Sequence, residues 1–380
     1  MKVIRAGTLL TMINNKVLED VNIIIEGDKI AEIKGGPPPD ADEVIDARDH
    51  YVMPSFYDAH THIGVAEEGA GFDYYDINEA TDPATPGLQG KDAIYPGDIG
   101  FKDAQAAGVS VCITGPGSSN VIGGLQAVIR TKGNTVEEMI IKEPAGLKMS
   151  FGRNPQFYWR EQKKFPSTRM GVSALIREYF EKARNYRKKK EKDKTGVDPN
   201  MEALLLVLDR KIPARIHVAN MEDISTIFEL QDEYNIDITL EHVTEGHLIV
   251  DEIAKRDIPC VVGPFFVAGK SLQTRFLTAR TAAILSEKGV RVALMTDHPA
   301  IPIHFIRHQA ALAYKAGMDK FKALEAITSQ AAEIIGIGDQ YGTIEEGKKA
   351  NIVILSDGPF KASSRVLYHI MEGEIVWKES

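Results

Sequence analysis

The sequence of 380 residues has few cysteines, only Cys112 and Cys260. That excludes a disulfide-stapled scaffold and points to a reducing compartment. Long hydrophobic runs are also missing. The most apolar stretch, from about Cys260 to Gly269, is short and broken by glycine, so no bilayer-spanning segment is expected. The opening residues, MKVIRAGTLLTMINN, hold neither a long apolar core nor a small-residue cleavage site. A cytoplasmic location is the expectation. Nor is there a basic excess: Lys+Arg 45 against Asp+Glu 54 gives a net charge of −9. Nucleic-acid binders usually carry a basic surface, so neither a nucleic-acid nor a membrane partner is expected. Repeats and low-complexity tracts are absent.

What is there is an ordinary globular balance, 43% hydrophobic and 26% charged, in a chain long enough to bury a large core. Both ends read as β. Val21–Ile33 holds two β-rich runs about a Gly27-Asp28 turn, and Val366–Trp377 repeats the pattern about Gly373. The middle alternates short apolar runs with helical segments, as parallel βαβ units do. Counting Tyr57–Ile63 as a strand, there are eight such runs. The fold class expected is α/β: a (β/α)8 TIM barrel over residues 54–342, with a small β-sandwich domain formed by both termini, 1–53 plus 343–380. A doubly wound sheet is the alternative. Between the fourth and fifth strands, Glu181–Lys194 holds eight basic and three acidic residues, which reads as a solvated helix face.

The chemistry concentrates at strand ends. In Asp58-Ala-His-Thr-His62, residues two apart on a strand face one side, so His60 and His62 point into one space as a metal requires. His217, His242 and Asp297 close later apolar runs. In a barrel all these ends meet at one face. Lys148 ends the fourth strand. Two readings of it stand open: a lysine paired with a carboxylate or substrate, or one whose burial lowers its pKa so that the amine takes up carbon dioxide. Further candidates follow the strands. Asn120 lies in the loop Gly115–Gly124, which lacks the phosphate-loop spacing and reads as an active-face loop. Arg153 offers a fork for a substrate carboxylate, with Tyr158 and Trp159 nearby. His247 and His298 are adjacent to the histidine and aspartate ends, and His298 points away from the centre.

With these residues in place, the sequence resembles the amidohydrolase superfamily. It is most similar to the imidazolonepropionase-like branch near the metal-dependent Xaa-Pro dipeptidases. The matching segments are Tyr51–His62, His217, Glu241–His247, Thr296–Pro299 and Gly342–Lys348. The resemblance implies a divalent metal, zinc above all, one or two per chain. His60, His62 and Asp297 match the ligands of the more buried ion. His217 and His242 match those of a second ion, or meet substrate when there is one ion. Lys148 matches a bridging carboxylated lysine. Asp297 also matches the general acid/base, and His242 is the other catalytic candidate; Asn120, Arg153 and His247 are the substrate-binding ones.

The expected function is hydrolysis of a C–N bond in a small-molecule substrate by metal-activated hydroxide. A cyclic amide, an N-acyl amino acid or a dipeptide would each qualify. Deaminase branches usually carry Glu three residues after the fifth-strand histidine, where this chain has Asn220. Imidazolonepropionase has an arginine soon after its first histidine pair, and Ile63–Asp73 has none. A deaminase and a non-catalytic amidohydrolase-fold protein are the alternatives. A homo-oligomer is compatible with the family, though no residue marks an interface.

Overall fold

The computed structural model describes residues 1–69, 76–192, 196–266, 271 and 274–379. The N-terminal region forms β1 (Lys2–Leu10), β2 (Val17–Glu26), β3 (Lys29–Gly35) and β4 (Glu43–Pro54). After a long middle region with β5 to β12 come β13 (Ile352–Leu355), β14 (Val366–Met371) and β15 (Glu374–Lys378). These two groups make one seven-stranded sheet, ordered β15-β14-β13-β4-β1-β2-β3. β4 joins the halves, running parallel to β1 and antiparallel to β13. Alternation supplies the buried face: Ile4, Ile23, Ile45, Val52, Ile352 and Ile370 pack together. The hairpin turns at Gly27 and Gly373 also touch. A Cβ at Gly373, whose φ is +80°, would stand 2.1 Å from the Gly27 carbonyl oxygen.

The middle region forms β5 (Phe56–Asp58), β6 (Val109–Thr114), β7 (Ile122–Arg130), β8 (Ile140–Ser150), β9 (Ala214–Val218), β10 (Ile238–His242), β11 (Cys260–Val262) and β12 (Val292–Leu294). They are hydrogen-bonded in sequence order as one eight-stranded barrel sheet. Several, such as β6 and β9, are buried at every residue, as strands covered on both faces are. The expected all-parallel order holds except at β7, which is antiparallel to β6 and β8. The reason is loop length. A parallel return needs a crossover of about a dozen residues or more. Residues 115–121 before β7 and 131–139 after it are too short.

The expected first strand, Tyr57–Ile63, ends early at Asp58, and His60 and His62 follow on irregular backbone. Here the barrel closes without a strand ladder. Asp297 N–H donates to the His60 carbonyl at 3.1 Å, and His62 N–H to the His298 carbonyl at 2.8 Å. The buried Asp58 carboxylate ties the seam. It accepts from His60 N–H (3.2 Å), Thr296 N–H (3.1 Å) and Thr296 Oγ (2.5 Å). Tyr57, Ile113, Val128, Val261 and Met295 lie together in a buried core cluster.

The basic run lies on the helix Arg169–Lys190 and just beyond it; Asp193 and Lys194 fall outside the described residues. That helix buries Val172, Leu175, Ile176 and Phe180, and its charges pair outward, Arg184 with Glu181 and Arg187 with Asp209. Such exposed pairs contribute little stability. Among the described residues no helix is long and apolar enough to cross a membrane.

The seam yields a stability prediction. Asp58→Ala strands three buried donors. Each stranded donor should cost about 1–3 kcal/mol of stability, read as a lower urea midpoint at unchanged slope. An unchanged midpoint would show that closure does not depend on this carboxylate.

Candidate metal centre and active-site cavity

Barrel closure brings His60, His62 and Asp297 together, with one ligand atom of each within 4.8 Å of the others. Asp297 Oδ1 lies 3.1 Å from His60 Nε2 and 3.4 Å from His62 Nε2. The other ring nitrogens are engaged. His62 Nδ1 meets the Gly115 carbonyl at 2.8 Å, and His60 Nδ1 meets Glu241 Oε2 at 2.8 Å. Both partners are acceptors, so each Nδ1 carries a proton and Nε2 is the nitrogen of each ring that faces Asp297. Two imidazole Nε2 atoms and a carboxylate thus converge on one space. These donors suit a divalent metal.

The backbone at these residues is strained. Asp297 (φ +56°), His242 (φ +69°) and Val243 (φ +52°) are left-handed without being glycine. Each such residue costs on the order of 1–3 kcal/mol, sustained by surrounding structure. Burial would raise the Asp297 carboxyl, but His242, His60 and His62 outweigh it and hold the carboxyl well below its usual range.

Beneath this set lies a buried charge cluster that the sequence reading did not identify. Glu241 Oε1 pairs with Arg215 at 2.7 Å, and Glu241 Oε2 stands 3.2 Å from Lys148 Nζ. All three side chains are fully buried. Register explains the grouping: Lys148 of β8 is opposite Arg215 of β9, and His217 of β9 is opposite Glu241 of β10. Of the two readings left open for Lys148, this geometry displays the carboxylate pair. Burial nonetheless lowers its pKa, offset only in part by Glu241 and Asp297. The sequence carried one signal: Arg215 and Glu241 are charges inside otherwise apolar runs.

His217 and His242 stand side by side with ring centres 3.9 Å apart, and His242 lies 5.2 Å from His60. His217 is held by Ser118 Oγ at 3.0 Å and Asn154 Nδ2 at 3.3 Å, two partners the sequence reading missed. His242 Nε2 is buried without a hydrogen-bond partner among the described residues. Burial pushes the His242 imidazole down to about 3, so it is neutral at neutral pH.

Above them opens a cavity of about 510 Å³, lined by His62, His217 and Asp297 together with Ser118, Asn154, Arg153, Phe157 and Tyr158. The loop before β7 lies at the active face as expected, held by Trp159 Nε1 donating to the Ser119 carbonyl at 2.9 Å. Arg153 is exposed at the cavity wall and has no ion pair among the described residues. Two expected substrate-binding residues have partners away from the cavity. Asn120 is buried and not in the cavity wall, because its amide donates to the Asp82 carbonyl at 2.8 Å. His247 turns instead to Thr281 Oγ at 2.9 Å. His298 lies behind the seam, its Nδ1 accepting from Ile303 N–H at 3.1 Å.

Comparison with known proteins agrees with this architecture. The family model described as "Amidohydrolase family" matches residues 51–376. A crystal structure of an amidohydrolase from Thermotoga maritima MSB8 superposes with a TM-score of 0.96 at 38% identity, covering all of both chains. A Xaa-Pro dipeptidase structure with bound methionine shares the fold at a TM-score of 0.62 and 18% identity over both full chains. The amidohydrolase tasK of Hapsidospora irregularis is 24% identical over 372 residues, 89% of this chain, which spans only 38% of that protein's length. With the barrel, the strand-end ligand set and a family match over most of its length, the chain belongs to the amidohydrolase family.

Proposed function

We propose that this chain is a metal-dependent hydrolase that cleaves the C–N bond of a small amide bearing a carboxylate: an N-acyl amino acid, a dipeptide or a cyclic amide. The observation that carries this reading is the convergence of His60 Nε2, His62 Nε2 and Asp297 on one space, with both Nδ1 atoms committed elsewhere. These three residues would hold the cation, and zinc suits the set. A divalent cation there supplies Lewis-acid polarisation of a carbonyl and acidifies water.

The chain's own groups supply the proton traffic. Asp297 is partly open to the cavity. Kept ionised by its imidazole neighbours, it takes the proton from the attacking water and passes it to the leaving nitrogen. His242, neutral and with Nε2 unpartnered, meets the reacting carbonyl side of the substrate or a second cation. A second cation would use His217, His242 and Lys148, and it needs Lys148 as an anionic carbamate, because an ammonium there repels it. Arg153, at the wall and without an ion pair among the described residues, binds the substrate carboxylate.

The deaminase reading has less support. At its acidic position stands Asn220, whose amide donates to Glu245 at 3.0 Å. Glu245 also accepts from Met221 N–H at 3.0 Å, capping the helix Met221–Tyr234, and so is committed structurally. The scaffold reading is disfavoured because the ligand set is complete.

Metal content tests the centre. Chain stripped of metal and reloaded with zinc should hold about one equivalent without bicarbonate and about two with it. Lys148→Ala should hold one in both, and the His60→Ala/His62→Ala double variant none at this set. Two equivalents in Lys148→Ala would overturn its bridging role; none in the wild type would overturn the hydrolase reading.

Substrate screening tests Arg153. For substrates with a free carboxylate, Arg153→Gln should raise KM roughly 10- to 100-fold, the worth of a charge-assisted hydrogen bond. Amidated counterparts should be unaffected. Equal loss for both would remove the carboxylate from the reading.

A further inference from the structure

The barrel interior holds a charged pair that the proposed chemistry leaves without a task. Arg215 and Glu241 are both fully buried and 2.7 Å apart. A buried ion pair is weak evidence for stability, since well-packed apolar residues often do as well or better. Arg215 moreover leaves Nε and Nη1 without hydrogen-bond partners among the described residues. The pair's remaining contacts point to another role.

Glu241 Oε2 accepts from His60 Nδ1 at 2.8 Å and stands 3.2 Å from Lys148 Nζ. Arg215 holds the other oxygen and also donates to the Ala59 carbonyl at 2.7 Å, one residue before His60. One carboxylate therefore touches two residues of the proposed centre, and its anchor grips the backbone that carries one of them. Contacts of this kind fix which imidazole nitrogen faces a metal and raise its basicity.

We propose that Glu241, anchored by Arg215, is the positioning residue of the metal centre. It sets His60 with Nε2 toward His62 and Asp297, and it steers the head of Lys148 beside them. The proposal rests on the metal-centre reading above. It is a statement about the chain's ordering of its own ligands, with no reacting atom touched by either residue. Glutamine at position 241 keeps the shape but loses the charge. Methionine at 215 then removes the charge that would be stranded.

The test uses the full-length chain with zinc and cobalt(II) as probes. Zinc affinity is measured by competition with a chromophoric chelator for wild type, Glu241→Gln and the double variant Arg215→Met/Glu241→Gln. Folding is followed by thermal unfolding of the metal-free proteins. The expected result is a roughly 10- to 100-fold weaker zinc affinity in both variants. The visible absorption of bound cobalt should shift, and the double variant should unfold at no lower temperature than wild type. The single variant strands Arg215 and is the one at risk of misfolding; the double variant keeps the question answerable. Wild-type affinity with an unchanged cobalt spectrum in a folded variant overturns this proposal and leaves the metal centre standing. A wild type that binds neither ion overturns both.

Discussion

Between β5 and β12 the barrel has no strand ladder, and the chain closes through backbone bonds of the residues that carry the ligand set. Asp297 N–H reaches the His60 carbonyl, and His62 N–H reaches the His298 carbonyl. Closing the barrel and assembling the site are therefore one event. Leaving the ladder at Asp58 and turning the backbone left-handed at Asp297 gives the rings and the carboxylate a common focus. The Asp58 carboxylate takes over the donors that this irregularity would leave unpaired.

A second constraint follows from burial. Ionisable groups placed inside a barrel must find partners or lose their charge. Glu241 answers for three neighbours at once: Arg215, Lys148 and His60. Register puts Lys148 directly across from Arg215, two like charges on adjacent strands. Arg215 cannot deprotonate, and burial drives the Lys148 pKa downward, offset in part by Glu241 and Asp297. The hydrogen bond that orients His60 and the ion pair of Lys148 thus derive from one carboxylate.

Much of this was legible in the sequence, for a definite reason. His217, His242 and Asp297 each end an apolar run, and a barrel sends such ends to one face whatever the loops do. The His60/His62 pair was legible for the same reason, although the strand expected to carry it stops at Asp58. Partnership across strands was not legible. Arg215 and Glu241 stood out as charges in apolar surroundings, but their meeting depends on register that a single sequence does not state. The direction of β7 escaped a reading based on periodicity, which is the same for a strand run either way; the short connections on both sides held the information. Asn120 shows a further limit. It follows a strand as an active-face residue should, yet a carbonyl at Asp82, brought in by the long excursion after β5, captures its amide.

The wall of the cavity is built by different rules from its floor. The floor is anchored in strands and in the seam, where a changed side chain would disturb closure itself. Much of the wall comes from the loop before β7 and from the helix Arg153–Glu161, joined where Trp159 donates to the Ser119 carbonyl. Arg153 and Phe157 extend from that helix, Arg153 exposed and Phe157 about half exposed. Ser118 and Asn154 reach from the same two segments to the two nitrogens of His217, so a shift in the wall is felt at the floor through one imidazole. The wall can therefore change at Arg153 and Phe157 while His60, His62 and Asp297 stay fixed. His217 is the residue through which a bound substrate and the centre would sense one another.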